Sequence, residues 1–179
     1  HSDAFATACS RAMSYDVCIS YSSKDRPRIL LMAEQLRGAG VSVWIDQGGI
    51  DAASLWTAEI VKAIDGCKVL LLALSTAAAE SSNVVKEVSL ALDRKKHILP
   101  VNLEPVEVPV ALRYPLAGLQ HVDLFGEKAQ ENFETVVRAL ARLGVLTGAA
   151  PVDAPAAARA QRKALNDKVI AVLPFVNIS

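Results

Sequence analysis

Five short apolar stretches punctuate this chain: DVCISY at 16–21, VSVWID at 41–46, KVLLLAL at 68–74, HILPVNL at 97–103 and HVDLF at 121–125. Between them, apolar residues recur at helical spacing. Ile29, Leu30, Ala33 and Leu36 do so after Pro27, which a helix tolerates in its first turn, and Gly38 and Gly40 stop that helix. Further helices are expected over 56–65, 83–94 and 127–143, with loops over 47–55 and 104–120. Strands that alternate with helices build an α/β domain on a parallel sheet. Right-handed crossovers then put helices on both faces. KVLLLAL is apolar on both of its faces, as a strand covered from two sides requires.

Composition narrows the function classes. The 179 residues carry 19 basic and 19 acidic side chains, so no basic surplus points to nucleic acid or to a membrane surface. The cysteines Cys9, Cys18 and Cys67 form no CxxC pair, which leaves no zinc or disulfide framework and fits a reducing, cytoplasmic setting. His1, His97 and His121 form no ligand pair, so no metal site is expected. No apolar run reaches the roughly 18–20 residues of a membrane helix. Residues 1–13 read as an N-terminal extension or expression remnant, and 14–146 as the domain. Residues 147–166 form an Ala/Pro-rich linker, and 167–179 (ending VIAVLPFVNIS) the opening of a second domain.

Parallel sheets take their ligands beyond the carboxyl ends of their strands. Those ends are Tyr21-Ser22-Ser23, Asp46-Gln47 and Ser75-Thr76. On the helix over 83–94, Val84, Val88, Ala91 and Leu92 make an apolar stripe, and Glu87 lies at its border, about 40° from Ala91. A border carboxylate is partly desolvated yet reaches a cleft. Each candidate also has a plainer reading. Glu87 can be a surface acid near a helix start. Ser22 and Ser23 can be caps, Asp46 and Ser75 turn residues, and Tyr21 and Trp56 core. No GxGxxG or P-loop is present, which leaves the Rossmann dehydrogenase and nucleoside triphosphatase readings with little support.

In order and spacing, DVCISYSSKD, GVSVWID, LWTAEIVKAIDGCKVLLLALS, VVKEVSLAL and ILPVNLEP resemble a TIR domain of bacterial type. The resemblance implies a flavodoxin-like fold with five parallel strands in the order 2-1-3-4-5. It makes the loop after Asp46 the BB loop, with Gln47, Gly48, Gly49, Ile50 and Asp51 in contacts between TIR domains. Many TIR domains cleave NAD⁺ to nicotinamide and a linear or cyclic ADP-ribose. Their catalytic glutamate matches Glu87, and NAD⁺ is then a substrate with no separate cofactor. Tyr21, Ser22, Ser23, Asp46, Trp56 and Ser75 become candidate substrate contacts. The family often places Trp four residues before the glutamate. Asn83 stands there, which makes Trp56 the candidate aromatic platform. The tail resembles the start of TolB-like regions that precede tetratricopeptide repeats.

One carboxylate suffices for this chemistry. Nicotinamide leaves NAD⁺ as a neutral molecule and needs no added proton, so the enzyme has only to stabilise the oxocarbenium-like ribose. Glu87 is expected to be ionised near neutral pH unless burial is deep. The implied function is an NAD⁺ glycohydrolase in bacterial signalling or defence, switched on by self-association. The alternative is a non-enzymatic TIR–TIR interaction module. A phosphoacceptor receiver domain is disfavoured, because Ser20-Tyr21-Ser22 stands where its acidic cluster belongs.

Overall fold

The computed structural model describes residues 15–46 and 53–145, with side chains from 58 onward in the second segment. The expected BB-loop residues Gln47–Asp51, the Trp56 side chain, the N-terminal extension, the linker and the tail lie outside the described residues.

Among the described residues, β1 (Val17–Ser20), β2 (Val43–Trp44), β3 (Val69–Leu74), β4 (His97–Asn102) and β5 (Val122–Asp123) form one sheet in the order β2-β1-β3-β4-β5. Every pairing is parallel, and Cys18 registers with Trp44 on one side and Leu70 on the other. The helices are α1 (Arg26–Gly38), α2 (Ala53–Gly66), α3 (Thr76–Ala79), α4 (Ser82–Asp93), α5 (Val110–Arg113) and α6 (Ala129–Arg142). This is the α/β, flavodoxin-like architecture expected from the alternation.

Strand alternation divides the interior into two cores. Val17 and Ile19 of β1 join Val43, Leu71 and Val101 under α1 and α6. Cys18 joins Leu70, Leu72, Leu74 and Ile98 under α2 and α4. All six residues of β3 are fully buried. Each of its leucines contributes about 1.5–3 kcal/mol from burial, which makes β3 the keel of the domain.

Some local readings change. α2 begins at Ala53, inside the stretch read as loop. The small residues after β3, where no helix was expected, form α3, because the Ser75 hydroxyl caps it by accepting from the Ala78 N–H at 3.0 Å. Ser23–Asp25 winds into a 3-10 turn, and β2 keeps only two of the six residues expected of it. Leu92 is 41% exposed and leaves the apolar stripe, whereas Val84, Val88 and Ala91 are buried. Ser81 caps the start of α4. Its end closes through Lys95 N–H to Leu92 O and Lys96 N–H to Ala91 O, with Lys95 at φ 55° where glycine is usual. Both ends of the helix that carries Glu87 are thereby fixed.

Candidate functional site

The alternation in β1 that buries Cys18 under α4 also turns Ser20 to that side. Glu87 lies one turn into α4 after Val84, on the flank that meets the end of β1. The Ser20 hydroxyl donates to Glu87 Oε2 at 2.6 Å. Glu87 is half-buried and lines a cleft of about 130 Å³ beyond the carboxyl ends of β1 and β2. Trp44 and Asp46 form one wall, Ile60 of α2 and Ser81 and Asn83 of the α4 start another, and Ser22, Ser23 and Arg26 the rim after β1. The volume is below the roughly 300–1,000 Å³ of sites that enclose a whole drug-sized ligand. It fits one moiety of a larger molecule.

Burial pushes the Glu87 carboxyl up to about 7; the Ser20 hydrogen bond opposes the rise and the Asp46 charge adds to it. Burial is therefore deep enough to change the expectation of a fully ionised acid. Near neutral pH, Glu87 is divided between its charged and neutral forms. The exit of β2 at the cleft is tied down by polar contacts. The Tyr21 hydroxyl donates to the Asp46 carbonyl at 3.0 Å, and Arg26 Nη1 donates to the same carbonyl at 2.9 Å and to the Tyr21 oxygen at 3.2 Å. Burial raises the Tyr21 phenol, so it remains a donor.

A second polar cluster sits at the same edge of the sheet, over the ends of β1, β3 and β4. Buried Ser75 donates to buried Asp25 Oδ2. Arg28 pairs with Asp25 at 3.6 Å and with Glu104 at 3.1 Å, and also reaches the Leu103 carbonyl at 2.9 Å. Glu104 Oε1 accepts the Thr76 N–H at 2.9 Å. That N–H, with Arg28 adding to it, holds the Glu104 carboxyl below the usual range. Side chains of the chain itself thus fill the ends of β1 and β3, where doubly wound sheets commonly take ligands. The cleft lies to one side, under α2 and α4.

The family model for the TIR domain matches residues 17–138. The chain belongs to the TIR-domain family. Among solved structures, the TIR domain of the Toll-related receptor TRR-2 from Hydra magnipapillata is 20% identical, over 71% of this chain and 98% of its own, with a TM-score of 0.60. The TIR domains of the activated Roq1 resistosome, which directly recognises the pathogen effector XopQ, are 16% identical over 70% and 99%, with a TM-score of 0.57. The CMP N-glycosidase BcmB of Clostridium botulinum is 17% identical over 67% and 96%, with a TM-score of 0.50. At these identities the likeness is one of fold. A search of the curated proteins found no match.

Within this TIR domain, Glu87, Tyr21, Ser22, Ser23 and Asp46 come together around the cleft. Ser22 stands at the N-cap of the 3-10 turn without a side-chain cap bond, and Asp25, not Ser23, holds the N-cap position of α1. Ser75 does not line the cleft. Its hydroxyl is engaged by Asp25 and the α3 cap, which gives this candidate substrate contact a structural role. Sequence reasoning missed Ser20, Trp44 and Arg26. A period-two reading had the signal for the first two: Cys18 and Ser20 share one face of β1, and Trp44 and Asp46 share one face of β2. Trp44 is an aromatic residue that lines the cleft together with Asn83.

Proposed function

We propose that this TIR domain is an NAD⁺ glycohydrolase with Glu87 as its catalytic carboxylate. The observation that carries the reading is the setting of Glu87: a carboxylate in a cleft at the strand ends, half-buried, with the Ser20 hydroxyl donating to Oε2 and its pKa pushed up to about 7. Such displacement from the ordinary range is a mark of functional acids. In the proposed reaction the bond between ribose C1′ and the nicotinamide nitrogen breaks. Its electron pair leaves with neutral nicotinamide. The ionised Glu87 faces the positive ribose, where its charge counts for more than it would in water. Water then adds at C1′ and loses a proton, giving ADP-ribose; attack by the adenine ring instead gives a cyclic product. No cofactor takes part.

The cleft suits the nicotinamide riboside end, with Trp44 as the stacking wall in place of the tryptophan absent at Asn83, and Asp46 within reach of ribose hydroxyls. Ser22, Ser23 and Arg26 form the rim for the diphosphate. The N-glycosidase named among the structural neighbours supports the reading, because the same fold there serves the cleavage of an N-glycosidic bond. Self-association in a cytoplasmic signalling or defence protein is part of the proposal. No helix among the described residues is long and apolar enough to cross a membrane.

The second reading, a TIR–TIR interaction module without catalysis, draws on Val110 and Tyr114, which stand one turn apart on α5 and its end at 77% and 92% exposure. Nicotinamide release from NAD⁺, followed at high protein concentration beside Glu87→Ala, decides between them. The expected outcome is release that falls at least about a hundredfold in the variant. No release at any concentration overturns the enzyme reading, and release undiminished in the variant assigns the chemistry to another group.

A further inference from the structure

Ser20 ends β1 at 1% exposure, inside the same wall as Cys18. A serine hydroxyl has one proton to donate. Here it goes to Glu87 Oε2 over 2.6 Å, the short range of a hydroxyl bonded to a carboxylate. The bond joins residues 67 positions apart and ties the central part of the sheet to the helix that carries the acid. We propose that Ser20 is a positioning residue for the proposed reaction: its hydroxyl holds the Glu87 carboxylate in one orientation at the floor of the cleft and stabilises its charge. The kinetic consequence rests on the glycohydrolase reading; the bond and its effect on Glu87 do not.

The surroundings of Glu87 make this donor matter. α4 packs against β1, β3, β4, α2 and α5. β1 and its exit bring Cys18 and Tyr21, both raised, Cys18 by its hydrogen bond to Cys67 and then by burial, Tyr21 by burial; neither carries charge near neutral pH. Asp46, beyond β2, opposes ionisation. Arg26 of α1 lines the same cleft and directs Nη1 at the Asp46 carbonyl and the Tyr21 oxygen. Glu59, Lys62 and Asp65 of α2 are exposed, with Asp65 paired to Arg94 at 3.0 Å. His97 is exposed at the start of β4, and Arg113 of α5 turns to the Val108 carbonyl. β3 is apolar throughout, and Lys86 and Asp93 of α4 itself are exposed. Against burial and the Asp46 charge, the Ser20 hydroxyl is, among the described residues, the group in contact with Glu87 that favours its ionised form.

The test uses Ser20→Ala and Ser20→Thr in the full chain. Carbon-13 NMR follows the Glu87 side-chain carboxyl through a pH titration, with Glu87→Gln assigning its resonance. In parallel, nicotinamide release is measured across pH. Ser20→Ala is expected to lift the Glu87 midpoint by about one to two pH units. It lowers kcat at pH 7 by about tenfold, the loss shrinking as pH rises past the new midpoint, and leaves KM nearly unchanged. Ser20→Thr, which keeps the hydroxyl, restores both. An unmoved midpoint in Ser20→Ala overturns the proposal, and so does a kcat loss of equal size at every pH. Should the unmodified chain release no nicotinamide, the glycohydrolase reading fails, and the titration alone still decides whether Ser20 governs Glu87.

Discussion

Two carboxylates at the same edge of the sheet, Glu87 and Glu104, are held in opposite ways. Glu104 is half-exposed and has Arg28 on one oxygen and the Thr76 N–H on the other. Its pKa is depressed. Glu87 is more deeply set, accepts the Ser20 hydroxyl on Oε2 and faces the charge of Asp46. Its pKa is raised. The first arrangement satisfies an acid and closes the chain over the ends of β1, β3 and β4. The second gives an acid, among the described residues, one hydroxyl donor and leaves it open to a cleft. An acid held in that way keeps electrostatic attraction to offer a ligand, and under the proposed function the contrast separates the part of the edge that stabilises from the part that acts.

The largest expected effect tests the Glu87 side. Nicotinamide release should rise with pH through a midpoint near 7, because the neutral acid cannot stabilise a positive ribose, and a pH-independent rate between 5 and 9 would break the assignment. Glu87→Gln should abolish that release yet stabilise the fold. The sign follows from linkage. A raised folded pKa means that the penalty for ionising Glu87 is absent below the unfolded value of 4.5 and complete above about 7. Thermal or urea unfolding at pH 8 should therefore favour the variant by up to roughly 2–3 kcal/mol, with the gain gone at pH 4. Equal stabilities at pH 8 would mean that the acid is solvated.

Ser75→Ala probes the other cluster. It removes the α3 cap and the hydroxyl on buried Asp25, so unfolding should show a loss of about 1–2 kcal/mol. KM for NAD⁺ should stay within about twofold, since Ser75 lies off the cleft; a large rise in KM would return it to the site. Glu104→Gln should have the smallest effect, a loss below about 1 kcal/mol, because the Arg28 pair is partly exposed. With a depressed folded pKa, that contribution exists above the unfolded value of 4.5 and disappears as pH falls through the folded one. Comparing chemical denaturation at pH 7 and pH 3 measures it; a difference that survives at pH 3 would assign it to something other than charge.

The fold was legible because β3 is apolar on both faces and the helical segments between strands bury one stripe each. Helix α3 was not, since Thr76–Ala79 has no periodic signal and depends on a cap whose other partner, Asp25, is 50 residues away. Glu87 could be picked out from the wheel of α4 together with the TIR resemblance. Its degree of burial could not, because that is set by Ser20, Asp46 and Ile60 arriving from three other elements. Ser75 was misplaced for the same reason: a strand-end hydroxyl faces either a cleft or a buried neighbour, and only the partner decides. Ser20 and Trp44 needed knowledge of which strand face α4 covers.

β1 carries a further consequence. Its residues alternate between two cores, with Val17 and Ile19 on one side and Cys18 and Ser20 on the other, in register with both β2 and β3. A slip of one residue would put Ile19 against Glu87 and turn the Ser20 hydroxyl to the far side. The acid would then have an aliphatic neighbour in place of its donor. Under the proposed function, sheet assembly and reactivity depend on the same residue: a chain that threads β1 wrongly would make a mute cleft, so nicotinamide release would double as a report on strand alignment.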